Sequence, residues 1–434
     1  MDIERRRLLR RAALMPLAAG AAAMAMPAAA TAPPLPDAPA GLSPAQLAGD
    51  EGYWAAVAAQ YDLGEEVVML DNGYWGAMAR PVLQAYTQAT DEVNRGNAWF
   101  GRVAFPRRMR DVQRQLAGFL GVGEDEVVLT RGATEALQAL IGGYNRLRPG
   151  DQVLYADIDY DSTITAMQWL RARRGAEPVA IALPEPCGHE QALETYARAL
   201  ERNPRLKLML LTQVNHRNGM LLPVAEIAAM ARARGVDVIV DAAHAIGQVQ
   251  TRIDRLDADF VGINLHKWIG APVGVGAMYV RRGRVADIDP YMGDPDRGIA
   301  SRVHTGTANF AAFLALPAAL DFHQRIGTAA KRARLLRLRD RWRDAARDLP
   351  GLQLLGSDEP RLSSAISSFR LRGQVTLEQN IGVARRLLEE AGVFTVHRDG
   401  LAQGACVRVT PGIFTSPAQI DRLVAGLAKL TGAA

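Results

Sequence analysis

The sequence predicts an α/β fold: a large domain whose mostly parallel sheet is flanked by helices, followed by a smaller α+β C-terminal domain. Two observations predict this architecture. Between residues 127 and 267, short apolar runs alternate with segments of helical period, which is the pattern of consecutive β–α units. From residue 363 onwards, strand-like and helix-like patterns are mixed. The chain has 434 residues, 49% of them hydrophobic, which suits roughly two to three domains with a large core.

The individual elements follow from the pattern in chain order. Apolar runs predict strands at 127–130, 153–156, 179–183, 206–214, 236–240, 260–265, 365–370 and 406–409. Helical periodicity, with Pro223 opening one helix and Gly235 stopping it, predicts helices at 133–144, 163–174, 190–201, 223–234, 377–391 and 417–430. A further helix is expected over 314–347, bent or broken near Gly327.

The first 32 residues resemble a targeting segment rather than part of the fold. They contain ERRRLLR at 4–10, an Ala-rich stretch at 12–30 that Pro16 interrupts, and small residues near Ala32. Consecutive arginines before an apolar stretch indicate a twin-arginine (Tat) export signal, a route for folded proteins, and hence a periplasmic location. We therefore divide the chain into a signal peptide at 1–32, an N-terminal arm at 33–80, a large domain at 81–325 and a small domain at 326–434.

Charge and cysteine content exclude several classes of function. The net charge is +5, and the predicted signal peptide alone contributes +3, so a nucleic-acid partner is not expected. The two cysteines, Cys187 and Cys406, are too few for a disulfide framework or a zinc site, and we predict no metal.

The stretch from residue 236 to 280 carries the strongest chemical signal. One predicted buried strand ends at Asp241, and the next predicted strand is followed by His266 and Lys267. Neighbouring parallel strands would bring this carboxylate and this amine to one sheet edge. Such a pair suits pyridoxal 5′-phosphate (PLP), since a lysine can bind the cofactor aldehyde and an aspartate can hold its ring nitrogen protonated. Either residue alone would be an ordinary charged strand end.

Two further segments could bind the cofactor phosphate. LTRGATEAL at 129–137 places a glycine turn and a helix start after a strand, so that backbone N–H groups and the Thr134 hydroxyl face an anion. HTGTAN at 304–309 offers another hydroxyl at Thr307. Each segment by itself is equally compatible with an ordinary turn.

Taken together, the motifs resemble fold-type I PLP enzymes of the aminotransferase class V family, in particular the isopenicillin N epimerase-like branch. The resemblance covers about 70–426. The segments that carry it, in chain order, are LDNGYWGAM (70–78), TRGATEAL (130–137), QVNHRNGMLLPVAEI (213–227), VDAAHAIGQ (240–248), NLHKWIGAP (264–272), HTGTAN (304–309) and CVRVTPGIFTS (406–416).

The resemblance implies a role for each matching residue. Lys267 would be the cofactor-binding lysine and proton shuttle, Asp241 the partner of the ring nitrogen, and His244 a neighbour of the ring oxygen. Arg408 would bind the substrate α-carboxylate, and Asn72 would lie near the substrate. Tyr160 would lie over the face of the cofactor ring. The remaining residues implied to contact the cofactor are Ala133, Thr134, His216, Asn264, His266 and, from a second subunit of a homodimer, Thr307.

The resemblance leaves the reaction open. A transaminase-like enzyme acting on an amino acid or a peptide-linked amino group is favoured, with an epimerase or a C–S lyase as alternatives. A cysteine desulfurase is disfavoured because neither cysteine lies in an evident mobile loop. In its family motifs and its predicted signal peptide, the chain also resembles periplasmic PLP enzymes that modify the glutamate of a pyoverdine siderophore. A siderophore peptide is therefore a candidate substrate. A catalytically silent PLP-binding module is the non-enzyme alternative.

Overall fold

The computed structural model describes residues 34–64, 66–292 and 294–433, so the predicted export signal lies outside the described residues. The unit 34–434 contains a seven-stranded sheet, a four-stranded sheet and a two-stranded ribbon. Among the helices of the described ranges, none is both long and apolar enough to cross a membrane.

The large sheet is built from strands whose side chains are mostly buried, as expected for a sheet with helices on both faces. Its strand order is β2-β8-β7-β6-β5-β3-β4, and only β8 runs antiparallel to its neighbours. The strands are β2 (Val127–Thr130), β3 (Gln152–Ala156), β4 (Glu177–Ile181), β5 (Leu206–Thr212), β6 (Asp237–Asp241), β7 (Phe260–Asn264) and β8 (Gly276–Val280).

Helices precede, connect and follow these strands. The arm forms α1 (Pro44–Leu47) and α2 (Glu51–Ala58), whose Trp54 and Val57 are buried in the core. The helices that follow are α3 (Arg80–Trp99), α4 (Phe105–Leu120), α5 (Ala133–Gly143), α6 (Asp161–Arg174), α7 (His189–Arg202), α8 (Val224–Arg232), α9 (Phe310–Leu314), α10 (Leu316–Ile326) and α11 (Thr328–Ala346). The predicted break at Gly327 is confirmed, because this residue separates α10 from α11 with a φ of 84°.

The C-terminal part is the mixed α+β unit that the sequence predicts. Its antiparallel sheet has the order β12-β13-β10-β9 and packs with three helices, one of them α11, around a separate apolar cluster. Its elements are β9 (Leu352–Leu355), β10 (Ser367–Leu371), α12 (Leu377–Ala391), β11 (Val393–Phe394), β12 (Val396–Arg398), β13 (Cys406–Val409) and α13 (Pro417–Thr431).

A short parallel ribbon ties the beginning of the chain to this unit. Strand β1 (Val68–Met69) pairs with β11, and Asp71 forms a bridge with Thr410 at the end of β13. The segment just after β1 therefore lies beside the end of β13, where the sequence places Asn72 and Arg408. The helices α1, α2, α3, α4 and α9 and the strands β1, β8, β9, β11 and β12 were not predicted from the sequence.

Candidate active site

The strand order brings the two residues of the strongest sequence signal to the same sheet edge. Strands β6 and β7 are parallel neighbours, with Asp241 at the end of β6 in register with Gly262 of β7. Lys267 follows three residues after β7 ends. The carboxylate of Asp241 is close enough to the amine of Lys267 for its negative charge to raise the pKa of that amine.

The Lys267 amine faces an imidazole rather than an acid. Its Nζ lies 3.0 Å from Nε2 of His244, which is 5% exposed. Burial, helped by the cations Arg408 and Arg398, lowers the pKa of Lys267 to about 7. Burial also holds the pKa of His244 well below its usual value. At pH 7 His244 is therefore neutral and a large fraction of Lys267 is uncharged, which is the form that a nucleophilic amine requires.

The hydrogen bonds around His244 define its tautomer. Trp268 donates its indole N–H to Nδ1 of His244 at 3.4 Å, so Nδ1 is the acceptor. A neutral His244 then carries its proton on Nε2, which donates to the lone pair of Lys267. The imidazole therefore stabilises the uncharged form of the amine and orients it.

Asp241 is a buried carboxylate with little local neutralisation. It is 4% exposed, and its Oδ1 accepts the backbone N–H of Ala243 at 2.9 Å. Burial raises its pKa, against this hydrogen bond and the positive charge of Lys267. A protonated ring nitrogen placed beside it would supply the charge that stabilises the ionised carboxylate.

The predicted phosphate segment lies at the start of α5, near the end of β7. Thr134 is exposed in the first turn of α5, where backbone N–H groups have no partner within the helix. The N–H of Ala133 is already engaged, since it donates to Oδ1 of Asn264 at 2.7 Å. Asn264 thus holds the helix start, and the N–H groups after Ala133 are those available to an anion.

Glycine allows the close packing beneath this helix start. A Cβ on Gly276 of β8 would lie 2.5 Å from the Cα of Gly132, which a side chain cannot satisfy. The imidazole of His266 reaches the same place, since a Cβ on Gly132 would lie 3.4 Å from its Cε1. His266 is fixed by a 3.0 Å contact between Nδ1 and the Val275 carbonyl, and burial lowers its pKa to about 4.

Two aromatic rings extend the site on the side of β5. His216 is 6% exposed, and its ring stacks nearly parallel to that of His244, with centroids 6.5 Å apart. Tyr160, which is 41% exposed, meets His216 edge-on at 5.2 Å. The structure therefore brings Tyr160, His216 and His244 together, while the predicted position of Tyr160 over the cofactor face stays a prediction.

Arg408 is fully buried and already has two partners. It donates to the carbonyl of His216 at 2.9 Å and forms an ion pair with Asp71 at 2.5 Å. Its Nε is buried with no hydrogen-bond partner among the described residues. Asp71 is the counter-ion that sequence reasoning missed, because it is 337 residues away in the chain.

Asn72 lies beside the end of β13, the strand that carries Arg408. The N–H of Asn72 donates to the Thr410 carbonyl at 3.0 Å, and its Oδ1 is close to Gly76, whose N–H donates to the His266 carbonyl. Thr307 is exposed, and its neighbour Thr305 lies within 3.4 Å of Glu135 in α5. The role of Thr307 in the site of a second subunit stays a prediction.

Arg398 is a second residue that sequence reasoning missed. It lies on β12 in register with Cys406 of β13, two residues from the strand position of Arg408 and therefore on the same face of the sheet. Burial and the charge of Arg408 lower its pKa to about 10. The available signal was the spacing of the two arginines around a turn at 399–405, which predicts an antiparallel pair.

This arrangement fits PLP. It offers an amine of lowered pKa at a sheet edge, a buried carboxylate on the neighbouring strand and a helix start with free N–H groups. His216 Nδ1 is, within the part of the chain that the structure describes, a buried nitrogen without a hydrogen-bond partner. A bound group with an oxygen at this position would satisfy it.

Comparison with known proteins decides the family. The model of the family described as aminotransferase class-V matches residues 79–422, which is most of the chain. The chain belongs to the class V aminotransferase family. The predictions of family and fold class are confirmed, and so is the prediction of PLP as the cofactor.

The similar curated proteins do not share one reaction. The chain is 29% identical over 403 residues to an isopenicillin N epimerase of Streptomyces clavuligerus, covering 87% of this chain and 98% of that protein. It is 26% identical over 389 residues to a probable cysteine desulfurase of Vibrio cholerae, covering 84% and 94%.

Solved structures agree on the fold. A cysteine desulfurase from Thermococcus onnurineus superimposes with a TM-score of 0.75 at 19% identity, covering 87% of this chain and 98% of that one. A cystine C–S lyase in complex with cysteine persulfide gives a TM-score of 0.74 at 23% identity, covering 84% and 98%.

Proposed function

We propose that this protein is a periplasmic, PLP-dependent enzyme that acts at the α-carbon of an amino acid or of a peptide-linked amino group, in the manner of a transaminase. The observation that carries the proposal is the position of the buried Lys267 amine, 3.0 Å from His244 and one strand from the buried Asp241. When bound, the cofactor supplies an electron sink for the bond that breaks at the α-carbon.

Lys267 and His244 would handle the proton. An amine whose pKa is about 7 both accepts and returns a proton near neutral pH, which is the condition for efficient general acid–base catalysis. The Nε2–H of His244 orients the lone pair of Lys267. Asp241 would keep the ring nitrogen of the cofactor protonated, because a cation beside this buried carboxylate stabilises its charge.

Arg408 and Arg398 would bind the acidic end of the substrate. The ion pair with Asp71 fixes the Arg408 guanidinium, while Nε of Arg398 has no hydrogen-bond partner among the residues described. The two arginines carry two positive charges, and Asp71 neutralises one of them. A substrate carboxylate between the arginines would neutralise the other. This balance favours a substrate with a carboxylate near its amino group.

Sulfur transfer to a protein thiol is not favoured. Cys187 and Cys406 are both buried, and burial raises the pKa of each thiol to about 11. Cys406 lies within β13, and its Sγ contacts the Arg217 carbonyl at 4.0 Å. A persulfide acceptor has to be an accessible thiolate, so neither residue suits the role.

Epimerisation is the second candidate, because the isopenicillin N epimerase relative matches along almost its whole length.

Analysis of the reaction products distinguishes the candidate reactions. The purified holoenzyme is mixed with single amino acids and short peptides with and without a keto-acid acceptor, and products are analysed by mass spectrometry and chiral chromatography. A keto acid or aldehyde supports transamination, the opposite enantiomer indicates epimerisation, and released sulfide or persulfide indicates C–S cleavage. A protein that changes none of these substrates, and whose absorption band they leave unchanged, would be a silent cofactor-binding module.

A Lys267→Ala variant is the control for every reaction. After borohydride reduction and denaturation, the variant should retain no covalently bound cofactor, whereas the wild type should retain it on Lys267. Survival of that covalent adduct would show that another lysine carries the cofactor.

We also propose that two subunits share each active site, with Thr307 of the partner subunit contacting the cofactor phosphate. Large apolar side chains exposed on the surface, including Tyr74 at 64% and Met292 at 84%, suit burial against a second copy. Mixing inactive Lys267→Ala and Thr307→Val proteins should restore activity, since a mixed dimer contains one intact site. A monomer by light scattering, or no recovery on mixing, would contradict the shared site.

The periplasmic location rests on the twin-arginine pattern at 5–7, and the Tat export machinery would be its transport partner. Cell fractionation of the wild type and of a variant with lysines at positions 5, 6 and 7 tests it. Retention of the variant in the cytoplasm, with cofactor bound, is the expected result. Equal distribution of both proteins would overturn it.

A further inference from the structure

Arg217 is a fully buried arginine that lies between two segments of the proposed active site. Its side chain is 1% exposed, and it follows His216 directly in the chain. Four of its five N–H groups have acceptors in the described structure. Those acceptors belong to two segments far apart in sequence, so the guanidinium joins parts of the site that have no covalent connection nearby.

One side of the guanidinium holds the turn that presents Tyr160. Nη1 donates to the carbonyls of Asp159 at 2.8 Å and Asp157 at 3.3 Å. Nη2 forms an ion pair with the Asp161 carboxylate at 2.5 Å. The residues on both sides of Tyr160 are thus fixed by one planar group, which leaves the tyrosine ring free to line the site.

The other side holds the end of β12. The Nε–H of Arg217 donates to the carbonyl of Asp399, the residue after Arg398. Gly400 lies against the same guanidinium with a φ of 95°, and a Cβ at this position would come within 2.6 Å of Nη2. The turn after Arg398 therefore requires both the arginine fork and the absence of a side chain at residue 400.

The arginine itself cannot move independently of the site. Ser368 of β10 donates its hydroxyl to the Arg217 carbonyl, and the preceding carbonyl, of His216, accepts from Arg408. A shift of Arg217 would consequently change the separation between Tyr160 and Arg398. These two residues lie close enough to interact electrostatically.

We propose that Arg217 is a positioning residue that holds the Tyr160 turn and the Arg398 strand end at a fixed separation, and so determines how the substrate is received above the cofactor. The proposal rests on the proposed function for its kinetic consequence. Its structural consequence can be measured without any turnover. A lysine cannot replace the guanidinium, because one ammonium group cannot bond the planar set of acceptors on both sides.

Two variants and one control test the proposal in the holoenzyme. Arg217→Lys removes the fork and keeps the charge, and Gly400→Ala crowds the same guanidinium without removing it. Arg334→Lys is the matched control, because Arg334 is also buried, 2% exposed, and forms a two-pronged ion pair with Glu51 in the arm. If Arg217→Lys does not fold, Gly400→Ala alone tests the proposal.

Hydrogen exchange is the first measurement. Peptides spanning 157–161 and 398–400 should exchange about tenfold faster in both test variants, while β6 and β7 and the bound-cofactor absorption stay as in the wild type. The KM for the amino substrate should rise about tenfold with kcat changed less than threefold. Arg334→Lys should lower thermal stability without either effect.

Two outcomes would overturn the positioning role. One is normal exchange in both segments with KM within twofold of the wild type, and the other is faster exchange spread evenly over the protein. If the wild type itself transforms no amine, the proposed function fails. Faster exchange confined to the two segments would then still establish the role of Arg217 in fixing them.

Discussion

Lys331 is a buried amine whose removal should change how stability depends on pH. It lies in the first turn of α11, 6% exposed, and donates to the carbonyl of Trp268, the residue after Lys267. Its other neighbour is Nδ1 of His323 at 3.5 Å, and the pKa of that histidine lies well below its usual value. Burial alone lowers the pKa of Lys331 from 10.5 to about 7.

The sign of the effect follows from proton binding in the two states. Between about pH 7 and 10.5 the unfolded chain keeps the Lys331 proton and the folded protein releases it. Raising the pH through this interval therefore stabilises the folded state. Between pH 7.5 and 9.5 the gain in the free energy of unfolding is about 2.5 kcal/mol.

Lys331→Met keeps the length of the side chain and removes this titration. Urea unfolding of the cofactor-free wild type and variant at pH 7.5, 8.5 and 9.5 measures the difference. The loss of the hydrogen bond to Trp268 adds a cost of about 1–3 kcal/mol at every pH, so only the slope reports the titration. Lys267 titrates in both proteins and cancels in the difference.

The variant should therefore lose stability relative to the wild type as the pH rises. Lys207→Met, at an exposed position of β5, is the control and should leave the slope unchanged. A constant difference between wild type and Lys331→Met across the three pH values would refute the reasoning. It would mean that Lys331 keeps its proton in the folded protein.

Three further predictions concern the site. Asp241→Asn should weaken catalysis about 100-fold with the fold intact by circular dichroism, since a buried charge partner is lost; an unchanged rate would remove Asp241 from the mechanism. The rate at which the cofactor-free protein binds PLP covalently should rise with pH through about 7, because the Lys267 amine reacts when neutral, and stopped-flow absorbance should place the midpoint there rather than near 10.5. Replacing Cys187 and Cys406 together with serine should leave substrate turnover within threefold, and loss of turnover with loss of a sulfur product would restore the desulfurase alternative.

Local pattern was sufficient for much of the fold. Most strands of the large sheet are short apolar runs bounded by turn residues, so consecutive residues are enough to predict their positions. Asp241 and Lys267 were then identified because they follow the ends of two of these predicted strands. Strand β8 escaped prediction because its run, GAMYV, is preceded by glycines that resemble a loop. The helix α3 carries many polar residues and α4 many charged ones, and neither helix was assigned from its apolar positions.

The sequence by itself determined the family, the cofactor and the residues at the strand ends, because these depend on short segments read in order. Only the tertiary structure decided the partners: Asp71 for Arg408, Trp268 for His244, and the two segments joined by Arg217. These contacts link residues far apart in the chain, and they depend on strand order, register and the burial of charge. Whether an arginine is free to bind a substrate or is already neutralised is a property of the packed molecule, and no local pattern encodes it.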